Sequence, residues 1–103
     1  MSYEVSGKLI EKFETFKISD NFQKREFVVE ISDNRNGTVY TDYIKFHVIK
    51  DKCGILDDLN LNDDVKVNFN IRGRRYEKEG RMSYFTSLEA WRIDRLIPLN
   101  LNN

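Results

Sequence analysis

From Val65 to Arg72 the chain alternates without a break. Val65, Val67, Phe69 and Ile71 interleave with Lys66, Asn68, Asn70 and Arg72. A two-residue period puts the apolar set on one side of an extended strand and the polar set on the other. The signature recurs. Over Arg25–Ile31, Phe27, Val29 and Ile31 oppose Glu26, Val28 and Glu30; within Thr38–Ile49, Ile44, Phe46 and Val48 oppose Tyr43, Lys45 and His47. A chain patterned this way folds as a sheet with one buried face.

Five strands are expected. The first runs over Tyr3–Lys17, with Val5, Gly7, Leu9 and Phe13 on one parity, and Gly7 lets so long a strand bend. Ser19-Asp20-Asn21 turns the chain into the second, and Asn36-Gly37 is a strong hairpin signal before the third. A short helix follows, with Asp51 as its cap and Ile55, Leu56 and Leu59 as its apolar stripe. Val65–Arg75 is the fourth strand, and after Glu79-Gly80 the fifth runs over Met82–Arg95. Gly73 is the expected site of a bulge. Three strands, one short helix and a hairpin is the order of an OB fold, a five-stranded Greek-key barrel; another small barrel or sandwich shares the pattern. Phe27, Phe46 and Phe69 fall on the inward parity and are expected in the core.

A length of 103 residues supports one core. The domain is expected over residues 1–97, and residues 98–103 read as a disordered tail. No apolar run is long enough to cross a membrane, and no secretory leader is visible, so a cytoplasmic site is expected. The single Cys53 cannot form an internal disulfide, which fits a reducing compartment.

Chemistry is sparse. One histidine and one cysteine fall short of a structural zinc site, and the five glycines are too scattered to cradle a phosphate. His47 and Cys53 form a poor nucleophile pair, one on a polar strand parity and the other in an apolar helix start. No enzyme activity, metal or cofactor is expected.

Lys plus Arg equals Asp plus Glu at 17 each, so the chain has no overall attraction for a polyanion. The distribution decides instead. Asp57, Asp58, Asp63 and Asp64 cluster around the helix and predict an acidic pole. Tyr43, Lys45, Arg72, Arg74, Arg75 and Tyr76 fall on strands two to four or at the mouth of the last hairpin, with Tyr84 on the returning strand. Phe22, Lys24 and Arg25 stand at the first-strand turn. Rings that stack on bases and cations that meet phosphates are the two needs of an unpaired strand, and these ten residues are the candidates. Each has a plainer reading: the tyrosines as cover for the sheet, the arginines as partners of Glu77 and Glu79. Trp91 reads as core or interface.

Sequence segments strengthen this reading. Gly7-Lys8-Leu9, Asp42-Tyr43-Ile44-Lys45-Phe46, Asn62-Asp63-Asp64-Val65-Lys66-Val67, Ile71-Arg72-Gly73-Arg74-Arg75-Tyr76 and Glu79-Gly80-Arg81-Met82-Ser83-Tyr84-Phe85-Thr86 together resemble bacterial single-stranded DNA-binding protein. Residues 3 to 95 resemble more closely a small bacterial OB-fold domain-of-unknown-function family. Its marks here are Lys24-Arg25-Glu26-Phe27-Val28-Val29-Glu30, Asp51-Lys52-Cys53, Phe69-Asn70-Ile71-Arg72-Gly73-Arg74 and Ala90-Trp91-Arg92-Ile93. The resemblance implies single-stranded DNA as the partner, with Tyr43 and Tyr76 in the places of stacking tryptophans. It also implies assembly as a homodimer or homotetramer, and work in replication, repair or recombination alongside other proteins of those processes. RNA binding and protein docking are the alternatives. Three departures stand out: no aromatic on the Asp33–Asn36 turn, Ile49 where a stacking phenylalanine falls, and no acidic, aromatic-ended tail.

Overall fold

The computed structural model describes residues 2–96. Its strands are β1 (Ser2–Lys12), β2 (Phe16–Ser19), β3 (Phe22–Arg35), β4 (Thr38–Ile49), β5 (Asp64–Lys78) and β6 (Arg81–Arg95), with a 3₁₀ segment, Lys50–Asp58, between β4 and β5. Six strands replace the five expected because the long first strand breaks after Lys12. The tail expected at residues 98–103 lies outside the described residues.

The sheet runs β1-β5-β6-β4-β3-β2, and a further pairing of β1 with β3 closes the first five strands into a barrel. This is the OB arrangement. Strand β1 makes the closure by changing partners along its length. Ser2–Lys8 pairs with β5, whereas Lys8–Lys12 pairs with β3. At the changeover the strands approach so closely that a Cβ on Gly7 would lie 2.5 Å from the Glu30 carbonyl oxygen and 2.6 Å from Val29 Cγ1. Gly7 is thus required by contact as well as by bending.

The inward parities meet as expected. Leu9, Phe27, Val29, Phe46, Val48, Val65, Val67 and Ala90 are buried, and Phe69 packs against them. Phe27 and Phe46 stack with ring centroids 5.4 Å apart, and Phe69 meets Phe46 edge-on at 5.1 Å. Each such side chain contributes about 1.5–3 kcal/mol by leaving water.

Cys53, Leu56 and Leu59 plug one end of the barrel. Their spacing of three suits a 3₁₀ turn, in which side chains three apart eclipse one another. The segment starts from Ile49 with no side-chain cap; Asp51 lies in its first turn and does not take the cap expected of it. Its carbonyls are held by cations from three strands. Lys12 Nζ donates to Leu56 O and Leu59 O at 3.2 and 2.6 Å, Arg25 Nη1 donates to Cys53 O at 3.2 Å, and Arg95 Nη2 donates to Asp58 O. Arg25 also pairs with Asp57, and Arg95 with Asp63. The acidic pole predicted at this end is therefore partly neutralised.

The β3–β4 and β5–β6 hairpins close on two-residue loops with left-handed backbones, Asn36-Gly37 and Glu79-Gly80. The register of β5 on β6 passes unbroken through Gly73, opposite Thr86. The bulge predicted there lies instead between Asn68 and Phe69, whose partners are Arg92 and Ala90, so Trp91 is the extra residue. The Trp91 indole N–H donates to Ser2 Oγ at 3.0 Å. Beyond the barrel, residues 32–43 of β3 and β4, and residues 71–86 of β5 and β6, run as ribbons exposed along almost their whole length.

Replacing Gly7 with alanine forces a methyl group against backbone and should cost about 1–3 kcal/mol. A thermal melt of Gly7→Ala should show Tm lowered by at least about 4 °C; an unchanged Tm would mean that β1 can shift away from β3 freely.

Candidate nucleic-acid interface

Cross-strand partners share a face, so the register sorts the candidates. On the β5–β6 ribbon, Arg72, Arg74 and Tyr76 lie opposite Ser87, Phe85 and Ser83, and all six stand on the outward face. Ile71, Arg75 and Glu77 lie opposite Leu88, Tyr84 and Met82 on the reverse face, which continues the barrel's inner side. On β3 and β4, the outward face carries Lys24 opposite Ile49, Glu26 opposite His47, Val28 opposite Lys45 and Glu30 opposite Tyr43.

The two outward faces meet in a groove of about 610 Å³. Ile18 and Phe22 from the β2–β3 turn region, Lys24 from β3, and His47 and Ile49 from β4 form one wall. Arg72, Gly73 and Arg74 from β5, with Phe85, Ser87 and Glu89 from β6, form the other. The seam beneath is the single parallel ladder pair His47 with Glu89. Phe22 also borders a smaller hollow shared with Lys17 and Lys50.

Of the ten sequence candidates, Phe22, Lys24, Arg72 and Arg74 line this groove. Tyr76 continues the Arg72–Arg74 row toward the ribbon tip, half-exposed. Tyr43, 63% exposed, and Lys45 lie on the same outward face of β4 as His47, but on the rising ribbon beyond the groove. Lys45 lies 3.7 Å from Glu26. Tyr84 and Arg75 are a cross-strand pair on the reverse face of the ribbon from Arg74. Arg25 turns to the barrel end, where Phe13 O, Cys53 O and Asp57 take its guanidinium at 2.7, 3.2 and 2.8 Å. Its Nε and Nη1 donors are thus engaged at the barrel end, away from the groove.

The sequence reading passed over Phe85, Ile18, Ile49, Ser87 and Glu89. Phe85 was within reach of a register argument, because a two-residue loop at Glu79-Gly80 places it opposite Arg74. Glu89 was not, because its role depends on a seam joining residues 42 positions apart.

His47 is buried on the groove floor, with Nε2 3.9 Å from Glu89 Oε1. Burial is the chief cause that lowers its pKa; Lys24 adds to the effect, Glu89 and Glu26 oppose it, and Arg72 lowers it slightly. Cys53 is buried in the core, its thiol donates to Val48 O at 3.6 Å, and burial raises its pKa, so it stays protonated. His47 and Cys53 thus sit on opposite sides of the sheet and form no nucleophile pair. Among the described residues, no three His, Cys, Asp or Glu side chains gather to hold a metal ion, and no helix is long and apolar enough to cross a membrane.

Known proteins share this fold. A family model described as a domain of unknown function (DUF3127) matches residues 4–94. No curated protein matches the sequence. Among solved structures, the mitochondrial single-stranded DNA binding protein Rim1 of S. cerevisiae superposes with a TM-score of 0.66 at 16% identity, covering 93% of this chain and 94% of that one. The Plasmodium falciparum SSB in complex with ssDNA gives 0.72 at 10% identity, with coverages of 93% and 94%. A deletion variant of the single-stranded DNA binding protein from Thermus aquaticus gives 0.69 at 14% identity, over 95% of this chain and 51% of that one. At these identities the likeness shows the fold.

The lowered pKa of His47 has a stability consequence. In the unfolded chain His47 takes up a proton near its ordinary value of 6.5, before the folded chain does. Stability is therefore full above that pH and falls as pH drops from it toward the folded pKa. Between about pH 7.5 and pH 5.5, Tm should fall more for the wild type than for His47→Gln. Parallel melting profiles would remove the buried, neutral imidazole.

Proposed function

The chain belongs to the DUF3127 family of domains, and on that footing we propose that it binds single-stranded nucleic acid, DNA foremost, in the groove between β4 and the β5–β6 ribbon. One observation carries this reading: Lys24, Arg72 and Arg74 converge there with Phe22 and Phe85, although they come from distant parts of the chain. Neither Lys24 nor Arg74 forms an ion pair among the described residues. The cations are thus free for phosphate, and the rings offer faces to bases. The single-strand-binding neighbours, one of them with ssDNA bound, support the same assignment.

Tyr43 and Lys45 on one ribbon and Tyr76 on the other extend the path beyond the groove. Arg25, Arg75 and Tyr84 fall outside it. The protein acts as a binding module, not an enzyme, and needs no cofactor. Its place is in the replication, repair or recombination of DNA in the cytoplasm or nucleoid, where the free Cys53 thiol stays reduced. Homodimeric or homotetrameric assembly, with a groove on each copy, would raise affinity for a long strand.

A second reading, a protein-docking OB module, draws on the reverse face of the ribbon. There Ile71 and Met82 stand exposed beside Tyr84, which is 72% exposed.

Titrating tyrosine and Trp91 fluorescence with a mixed-sequence DNA oligonucleotide separates the two readings. Phosphate contacts from Lys24 and Arg74 predict a slope of about −1.4 in log affinity against log salt, and about half of that for Arg74→Ala. Phe85→Ala should weaken binding by about 1–3 kcal/mol, and Tyr43→Ala with Arg74→Ala should abolish it, each with Tm nearly unchanged. No response at low salt would favour docking; tighter binding to an RNA of the same sequence would transfer the site to RNA.

A further inference from the structure

Glu89 is an unexpected residue in a groove built for a polyanion. Its side chain is a quarter exposed on the floor, with Oε1 3.9 Å from His47 Nε2 and 4.0 Å from Arg72 Nε. Neither contact is a close ion pair. His47, held neutral by burial, does not neutralise it. A carboxylate has about four acceptor positions, so much of its capacity is directed at the open groove. A phosphate on the floor would be repelled. The cations without ion pairs, Lys24 and Arg74, stand on opposite walls, one on β3 and one on the ribbon. This arrangement turns phosphates to the rims and base edges toward the floor.

Building on the single-strand reading above, we propose that Glu89 gives the groove a base preference, accepting hydrogen bonds from the exocyclic amino groups of cytosine, adenine or guanine and disfavouring thymine and uracil. A carboxylate accepting from cytosine N4 is a recurrent pairing. The neighbouring Arg72 guanidinium can donate to the acceptor beside that amino group. Thymine and uracil instead present a single imide N–H flanked by two carbonyl oxygens, both of which repel a carboxylate. The site therefore discriminates by a repulsive element as well as an attractive one.

The test compares oligo-dC with oligo-dT of equal length on the full chain, at the same salt and at about pH 7.5. Oligo-dC should bind at least about fivefold more tightly. In Glu89→Gln, which keeps the shape and loses the charge, oligo-dT should bind more tightly than to the wild type, and the ratio should fall toward one. Equal affinities in the wild type overturn the proposal. So does a wild-type preference that survives intact in Glu89→Gln. Binding of neither oligonucleotide overturns the single-strand reading itself, and this assignment with it. The wild-type comparison stands even if the variant folds poorly.

Discussion

Everything in this barrel depends on one strand serving two neighbours. β1 hydrogen-bonds to β5 with its first half and to β3 with its second, and Gly7 sits where it changes hands. Without that close crossing, β5 and β6 would be joined to β3 and β4 only through the single ladder pair His47 with Glu89. The groove has one wall from each pair of strands. The crossing at Gly7 therefore helps to hold those two walls in one barrel.

Charge is apportioned by the same architecture. A chain with equal numbers of cations and anions has no general affinity for nucleic acid. Lys12, Arg25 and Arg95 are held at the barrel end, where they satisfy carbonyls that a capless 3₁₀ segment leaves open. That end thereby loses much of its acidic character. Lys24, Arg72 and Arg74 remain on the outward face, with apolar surface between them. Local concentration replaces net charge.

What the sequence made legible follows from periodicity. Alternation assigned the inward residues of β3 and β4, and Val65, Val67 and Phe69 of β5, because a half-buried strand has no other way to hide its apolar face; Ile71 keeps the parity but lies on the ribbon beyond the barrel, exposed. Alternation also put Arg72 and Arg74 on one side, subject to the backbone staying regular at Gly73, which it does. The same rule separates Arg75 and Tyr84 from them, although proximity in sequence had grouped all four. Arg25 was a harder case. One residue from Lys24, it faces the other way, and two of its partners belong to a segment 28 to 32 residues further on. The length of the first strand was misread because alternation does not mark where hydrogen bonding stops. The helical stripe was read as Ile55, Leu56 and Leu59, whereas the 3₁₀ turn buries Cys53, Leu56 and Leu59, three apart.

The seam between β4 and β6 is one ladder pair long, while the other joints of the barrel are laced over many residues. A cuff fastened by one stud is stiff along its length and yields at the opening. The floor of the groove lies across that opening, with His47 on one lip and Glu89 on the other. The shortest joint of the barrel and the floor of the groove are thus the same two residues.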